Sequence, residues 1–223
     1  MLIPAPMAKQ FCAALYGWEA AVIIAVVAIL FMARVLSGVL AGRTTRNVAD
    51  DFVLWIAQGF GCGRIPFAAG TLGSVVGVMW FLLLLSTGSI HVFLAGAAAA
   101  VVLSVWFCGE AEKTLGETDP GSVVFDEICA VPLCFTSWLG MEWVNHGHWP
   151  APEYFFSDRN WPLLLAVFAA FRFFDVVKPW PIRQSQRLPG GWGVTMDDVL
   201  AALYVNVLVM LVFLASTAAG GGK

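Results

Sequence analysis

The sequence predicts an all-α, polytopic membrane protein with about six transmembrane helices and a polar site at their cytoplasmic ends. The 223-residue chain is 60% hydrophobic and only 12% charged, a composition typical of membrane proteins. Its apolar residues form long runs, most of them near the roughly 20 residues that cross a bilayer as a helix. Several carboxylates lie beside those runs, where a charge is costly unless it is paired, hydrated or bound to a metal.

The apolar runs predict six spans, at about 19–41, 71–87, 90–108, 121–144, 161–174 and 198–216. The first is expected to be a retained anchor helix rather than a signal peptide, because no basic segment directly precedes it. A bend is expected in the fourth span at Pro132. The second and fifth spans could instead be partly buried or re-entrant, and the fifth is short enough to need support from its neighbours.

The distribution of basic residues predicts the orientation of these spans. Nine of the twelve fall on one side, at positions 34, 43, 46, 64, 113, 172, 178, 183 and 187, and three fall on the other, at positions 9, 159 and 223. The positive-inside rule places the first group in the cytoplasm and both termini outside. We therefore expect a multi-pass protein of the cell's inner (cytoplasmic) membrane.

Four polar features then fall on the same, cytoplasmic, side of the membrane. They are the glycine-rich loop 59–74, the pair Asp126-Glu127, Asp175, and the pair Asp197-Asp198. The span count does not require this coincidence. The placement of all four features on one side therefore predicts one shared site.

The carboxylates each allow a simpler interpretation. Asp175 follows a helix end, where the helix dipole disfavours an anion, so it needs Arg172, Lys178 or a metal; a plain salt bridge with Arg172 would also suffice. One of Asp197 and Asp198 could cap a helix start, but capping does not easily explain both. Asp126 and Glu127 could be solvated charges at the edge of a span, although adjacent helical residues point about 100° apart.

The glycine-rich loop lets the backbone approach a phosphate closely, and the start of the second span offers free N–H groups for an anion. A flexible connector is the alternative. Arg183 could bind substrate, contact anionic lipid or only satisfy the charge rule. The candidate substrate-binding residues are Gly61, Gly63, Arg64, Gly70, Thr71, Ser74 and Arg183.

The available ligands favour a hard cation. All three His fall on the exterior side, and the five Cys include no CxxC pair, so zinc and a disulfide framework are not indicated. Carboxylate oxygens are the ligands that Mg²⁺ prefers.

Four blocks of the sequence carry a recognisable pattern: Gly59-Phe60-Gly61-x-Gly63 with Gly70-Thr71-x-Gly73-Ser74; Asp119-Pro120 with Val124-x-Asp126-Glu127; Phe171-Arg172-x-x-Asp175-x-x-Lys178-Pro179-x-Pro181-Ile182; and Gly190-Gly191-x-Gly193 with Asp197-Asp198. In order and spacing, over about residues 52–215, these blocks resemble the phosphatidylglycerophosphatase A family. Ala69 and Ala130 depart from the family's pattern without changing a charge.

The resemblance implies a helical membrane enzyme that uses Mg²⁺ to hydrolyse the terminal phosphomonoester of phosphatidylglycerophosphate, giving phosphatidylglycerol. It implies that Asp126, Glu127, Asp175 and one or both of Asp197 and Asp198 are the acidic site residues. For metal-assisted hydrolysis we expect catalytic roles for Asp126, Glu127, Arg172, Asp175 and Lys178, with metal ligands from Asp126, Glu127, Asp175, Asp197 and Asp198. The expected partners are the lipid substrate and the bilayer, and no nucleic acid is expected. Residues 1–50 would form an N-terminal extension with an anchor helix, and residues 51–223 the helical domain.

Two other classes of protein remain as alternatives. A CDP-alcohol phosphotransferase also clusters Asp with Mg²⁺, but its Asp spacing is not found here. A transporter with an acidic relay would carry carboxylates near the middle of its spans. Which carboxylate acts as base or nucleophile stays open.

Overall fold

The computed structural model describes residues 45–220, with side chains from 49 to 218. The chain divides into two compact units, 1–52 and 53–223. Of the first unit, only residues 45–52 are described, so the predicted first span lies outside the described residues. Within 45–220 the regular structure is all helical, without a strand, which confirms the predicted all-α class.

Eight α-helices and three short 3-10 segments make up the described chain. The helices are α1 (Thr45–Ala57), α2 (Ala69–Ser86), α3 (Ile90–Leu115), α4 (Phe125–Ala130), α5 (Thr136–His146), α6 (Trp161–Val177), α7 (Ile182–Ser185) and α8 (Gly191–Gly220). The 3-10 segments are Gly59–Arg64, Val131–Phe135 and Pro152–Phe156.

Three of these helices, α2, α3 and α8, are long and apolar enough to cross a membrane. The 18 residues of α2 extend about 27 Å at 1.5 Å per residue, close to the hydrocarbon thickness of a bilayer. The Ser89 side chain caps α3 by accepting a hydrogen bond from the Val92 N–H, and Gly116 ends it in the left-handed conformation. The chain is therefore a helical protein with membrane-spanning character.

The predicted fourth span consists of three pieces: α4, the 3-10 segment Val131–Phe135 and α5. Pro132 lies at the start of the 3-10 segment, where its missing N–H and its ring disfavour a continuous α-helix. Asn206 of α8 holds the break in place, since its amide donates to the Leu133 carbonyl (2.8 Å) and its oxygen accepts from the Ser137 N–H (2.7 Å). The expected bend is thus a short change of helix type.

Two other predicted boundaries differ from the observed ones. Helix α6 continues to Val177, so Asp175 lies inside its last turn and not after it. Helix α8 begins at Gly191, not near 198, so Asp197 and Asp198 lie in its second turn. They therefore do not cap the helix start, and the capping interpretation was wrong.

A cluster of aromatic rings holds the helices together at one level of the fold. Phe81 of α2 stacks on Phe135 with ring centroids 4.0 Å apart and meets Phe93 and Phe155 edge to face. All four rings are fully buried. Such pairs contribute roughly 0.5–1.5 kcal/mol each beyond their buried area, which fixes the positions of α2 and α3 around the broken segment.

Candidate active site

A small acidic pocket lies where α2 begins and α6 ends, beside the second turn of α8. Its volume is about 110 Å³. Its lining residues are Gly70, Asp119, Pro120, Gly121, Val123, Val124, Asp126, Glu127, Asp175, Lys178, Asp197 and Asp198. All five carboxylates singled out from the sequence therefore meet in one place, together with Lys178.

The end of α6 positions a cation on each side of Asp175. The turn closes through the Lys178 N–H, which donates to the Phe174 carbonyl, and Lys178 takes the left-handed conformation. Arg172 Nη1 lies 2.8 Å from Asp175 Oδ2, and Lys178 Nζ lies 3.4 Å from Asp175 Oδ1. These contacts compensate the unfavourable placement of an anion at a helix C-terminus.

Arg172 lies behind the pocket and joins three elements. Its Nη1 is 2.8 Å from Glu127 Oε1 on α4, and it donates to Ser74 Oγ on α2 at 3.3 Å. The Ser74 hydroxyl in turn donates to the Gly70 carbonyl. Arg172 does not line the pocket. In this arrangement it orients Glu127 and Asp175.

Two glycines of α2 make room for Glu127. A Cβ atom at Gly70 would lie 2.2 Å from Glu127 Oε1, and one at Gly73 would lie 2.5 Å from Glu127 Oε2. A side chain at Gly70 would therefore displace the Glu127 carboxylate, and one at Gly73, which would also lie 2.8 Å from Val124 Cβ, would displace the carboxylate or shift α2 against α4. The Gly-Thr-x-Gly sequence therefore serves close packing of a carboxylate against the helix.

Lys178 bridges α6 to α8 by bonding Asp197 as well as Asp175. Burial alone would lower the pKa of its amine, but the carboxylates of Asp197 and Asp175 outweigh burial and raise that pKa above its ordinary value. Lys178 is therefore a permanent positive charge facing the pocket. Its charge complements an anionic group bound there.

Asp126 and Asp198 form no ion pair with any residue of the described chain, although they are only 6% and 2% exposed. Two buried carboxylate oxygens, Asp198 Oδ1 and Glu127 Oε2, have no hydrogen-bond partner among the described residues. Leaving such groups unpaired is costly, so the oxygen-only donor set fits a hard divalent cation. Between residues 45 and 220, however, no three His, Cys, Asp or Glu side chains are arranged closely enough to form a ready metal cluster.

Most of the seven predicted substrate-binding residues do not lie at the acidic pocket, in contrast to the five predicted carboxylates. Of the predicted substrate-binding residues only Gly70 lines the acidic pocket. Ser74 does not line it but accepts a hydrogen bond from Arg172, which orients two of the pocket's carboxylates. The other five do not line it: Gly61, Gly63, Arg64, Thr71 and Arg183.

The reason lies in the local fold of the glycine-rich loop. The N–H groups of Gly61 and Gly63 both donate to the Gln58 carbonyl at 3.0 Å, so these two donors are already used. Gly63 also packs so closely that a Cβ would lie 2.0 Å from the Ser122 carbonyl oxygen. The N–H donors that the sequence suggested for a phosphate thus stabilise the 3-10 segment instead.

Two residues at the pocket were not among the predicted site residues. Asp119 lines the pocket, and Gln186 Nε2 donates to both Asp119 Oδ2 and Asp197 Oδ2 at 3.1 Å. The Asp119-Pro120 dipeptide of the family pattern was an available signal for the first. Nothing in the sequence pattern marked Gln186.

The fold and the pocket define a class: a helical protein with membrane-spanning helices and an ion-paired acidic pocket at one end of them. The family model described as Phosphatidylglycerophosphatase A matches residues 55–213. The chain belongs to the phosphatidylglycerophosphatase A family, which confirms the resemblance.

Individual relatives agree with this assignment. The chain is 35% identical to Phosphatidylglycerophosphatase A of Haemophilus influenzae over 158 residues, which cover 70% of this chain and 86% of that protein. It is 30% identical over 150 residues to the Escherichia coli protein of the same name, covering 66% and 76%. It is also 36% identical over 158 residues to a Bacteroides thetaiotaomicron protein named "Putative phosphatidylinositol-3-phosphatase", covering 69% and 89%. No solved structure matches the chain significantly.

Proposed function

We propose that the protein hydrolyses the terminal phosphomonoester of phosphatidylglycerophosphate, giving phosphatidylglycerol and inorganic phosphate. The observation that carries this proposal is the acidic pocket with Lys178, placed at the ends of apolar helices, in a chain of this family. Neither a phosphotransferase nor a transporter is favoured by the family match. In the reaction, a water oxygen bonds to phosphorus, the bond from phosphorus to the lipid oxygen breaks, and the lipid oxygen takes a proton.

Magnesium is the cofactor that the donor set suits. Asp126, Asp198 and Glu127 would hold it, because these carboxylates carry the unpaired or unpartnered oxygens of the pocket. When bound, Mg²⁺ would neutralise phosphate charge and lower the pKa of the attacking water. Asp175 and Asp197, named as metal ligands from the sequence, already contact Arg172 and Lys178 and would act as its outer support.

The two cationic side chains, Lys178 and Arg172, have different roles. The Lys178 ammonium faces the pocket and would bind a non-bridging oxygen of the phosphate, where charge stabilisation contributes to the transition state. Arg172 stays behind the carboxylates and fixes the orientation of Glu127 and Asp175. Arg172 is thus a positioning residue rather than a direct phosphate ligand.

We also propose six spans in an inner membrane, with the acidic pocket facing the cytoplasm. The support is the charge distribution of the sequence and the placement of the pocket at the start of α2 and the end of α6. Substrate lipid would then meet the pocket from the leaflet that faces the cytoplasm.

Release of phosphate from phosphatidylglycerophosphate by purified protein in detergent with Mg²⁺ tests the activity. We expect turnover to disappear with a chelator and to return when Mg²⁺ is restored, because the pocket offers only oxygen ligands. Full turnover in metal-free buffer would contradict the Mg²⁺ mechanism. Phosphatidylinositol 3-phosphate belongs in the same assay, because the Bacteroides relative's name points to it; preferential release from that lipid would replace the proposed substrate.

A further inference from the structure

A second, larger cleft adjoins the acidic pocket at the ends of α3 and α8. Its volume is about 460 Å³, roughly four times that of the pocket. Its lining residues are Glu112, Lys113, Gly116, Glu117, Thr118, Asp119, Gln186, Arg187, Leu188, Pro189, Gly190, Gly193 and Val194. We call it the outer cleft.

The outer cleft and the acidic pocket share a wall. Asp119 lines both. Gln186 also lines the outer cleft, and its amide bonds Asp119 and, inside the pocket, Asp197. A molecule that extends out of the pocket past Asp119 therefore enters the outer cleft.

The loop that carries Asp119 is held in a defined conformation. Gly116 ends α3 with a φ of 69°, and Asp119 itself has a φ of 51°, a region that non-glycine residues adopt only where the surroundings hold them. The Asp119 N–H donates to Glu112 Oε1 at 2.9 Å. The buried ring of Pro120 follows directly. The fixed backbone conformation of this loop thus places Asp119 at the wall shared by the two cavities.

Besides the carboxylates of Glu112 and Glu117, the outer cleft presents groups that suit a polyol with a nearby negative charge. Thr118, Asp119 and Gln186 offer acceptors and donors for hydroxyl groups. Arg187 forms no ion pair with a carboxylate of the described chain, and a guanidinium is well suited to a phosphate diester. Leu188 is 45% exposed at the same cleft, an apolar contact at the level where α8 begins.

We propose that the outer cleft binds the glycerol and phosphodiester part of the lipid headgroup while the terminal phosphate occupies the acidic pocket. This inference rests on the proposed function, since it places the rest of the same substrate. Size supports it, because the smaller cavity has room for little more than a phosphate group. Arg187 and the Asp119–Gln186 pair would then determine which phosphorylated lipids are accepted.

The test compares two substrates that share acyl chains and a terminal phosphate. Phosphatidylglycerophosphate carries a headgroup glycerol and a phosphodiester, and phosphatidic acid lacks both. For Arg187→Gln we expect kcat/KM on phosphatidylglycerophosphate to fall about tenfold or more, mainly through KM, as for a lost hydrogen bond to a charged group. The rate on phosphatidic acid should stay as in the wild type. Thr118→Trp, which fills the cleft from an exposed position, should have the same selective effect.

Arg159→Gln is the charge-matched control, because Arg159 lies just before α6, at the opposite end of that helix from Asp175. It should change neither substrate's rate. Equal losses on both substrates, or no loss in either cleft variant, would overturn the proposal. The wild-type arm keeps the two hypotheses apart: release from phosphatidic acid but not from phosphatidylglycerophosphate means that the proposed function itself has failed.

Discussion

Arg172 and Lys178 divide the five carboxylates of the pocket into two groups. Glu127 contacts Arg172, Asp197 contacts Lys178 and Asp175 contacts both, whereas the buried Asp126 and Asp198 contact neither within ion-pair distance. The ion pairs hold the first three carboxylates in a fixed geometry. The unpaired group offers carboxylate oxygens whose charge a bound cation would neutralise.

At the scale of single residues, the sharpest prediction concerns Asp126 and Asp175 as a unit. Residues that act on one centre are strongly non-additive. Asp126→Asn and Asp175→Asn should each remove most of kcat, and the double variant should lose little more. Phosphate release from phosphatidylglycerophosphate in detergent is the measurement.

A purely structural role for Asp175 makes a different prediction. Its loss would then lower the free energy of unfolding by about 1.5–3 kcal/mol, the usual range for a hydrogen bond to a charged group, with turnover kept. Thermal unfolding in detergent separates the two outcomes. Asp158→Asn, at an exposed position before α6, should change neither quantity. Near-normal turnover of Asp175→Asn would leave the site to Asp126, Glu127 and the Asp197-Asp198 pair.

The sequence could indicate which charged residues gather, because carboxylates beside apolar runs are costly and all fall on one predicted side. It could not indicate how they pair. Whether Arg172 faces a phosphate or lies behind Glu127 depends on the separation of α2, α4 and α6, and that separation is set by packing. Gln186 illustrates the same limit, since its two partners come from residues 119 and 197, far away along the chain.

At the scale of elements, the glycines of α2 form a seam against α4. Gly70 and Gly73 face Glu127, and a Cβ at Gly77 would lie 2.8 Å from Val131 Cβ. From the sequence, glycines in this stretch suggested phosphate binding by backbone N–H groups. In the fold, Gly73 and Gly77 instead let a carboxylate-bearing segment lie directly on a membrane-spanning helix.

Substitution along this seam should therefore affect the site. Gly73→Ala places a methyl group 2.5 Å from Glu127 Oε2 and 2.8 Å from Val124 Cβ. We expect a loss of about 1–3 kcal/mol in stability from overpacking, together with a large loss of turnover as Glu127 is displaced. Thermal unfolding and phosphate release measure the two effects.

Gly140→Ala is the matched control for this prediction. Gly140 is also helical, in α5, and a Cβ there would have no neighbour within 4 Å. Because alanine is the better helix former by about 1 kcal/mol, this variant should be as stable as the wild type or more so, with unchanged turnover. If Gly73→Ala and Gly140→Ala had the same stability and turnover, the proposed close packing of α2 against α4 would be contradicted.

The early start of α8 also has a packing cause. The run Gly190-Gly191-x-Gly193 resembles a loop in sequence, yet Gly191 already belongs to the helix. A Cβ there would lie 1.8 Å from the Val105 carbonyl oxygen of α3, so only glycine permits this crossing. A buried contact between Ser104 Oγ and Thr195 Oγ1 at 3.0 Å continues it. Because the helix starts this early, Asp197 and Asp198 lie in its second turn and not at its start, as the sequence suggested.

At the scale of the whole molecule, the pocket gathers its residues from one end of several helices. Gly70 opens α2, Asp119 follows α3, and Asp175 closes α6. The broken segment that starts with α4 and the long helix α8 also begin at this end. Counted with that segment between α3 and α6, successive spans therefore alternate in direction. The connections at the pocket end and those at the opposite end can then be assigned to opposite faces of a membrane.

This alternation sharpens the topology prediction. Reporters fused after about residue 47, near Gly116 and near Gly190 should read cytoplasmic, since basic residues favour that side. Reporters fused at the turns around Gly88 and Gly147 should read exterior. A cytoplasmic reporter and an exterior reporter, placed at each site in turn, control for fusions that simply fail to fold.

The decisive positions are Gly116 and Gly190, because they flank the outer cleft and lie next to the acidic pocket. If both read exterior while Gly88 and Gly147 read cytoplasmic, the pocket faces outward and the proposed supply of lipid from the cytoplasmic leaflet is wrong. If Gly116 and Gly190 report opposite sides, α3 and α8 do not end at the same face, and a shared wall at Asp119 and Gln186 is impossible. The acidic pocket and the outer cleft therefore require that these two reporters agree, and the proposed supply of lipid requires that they agree in the cytoplasm.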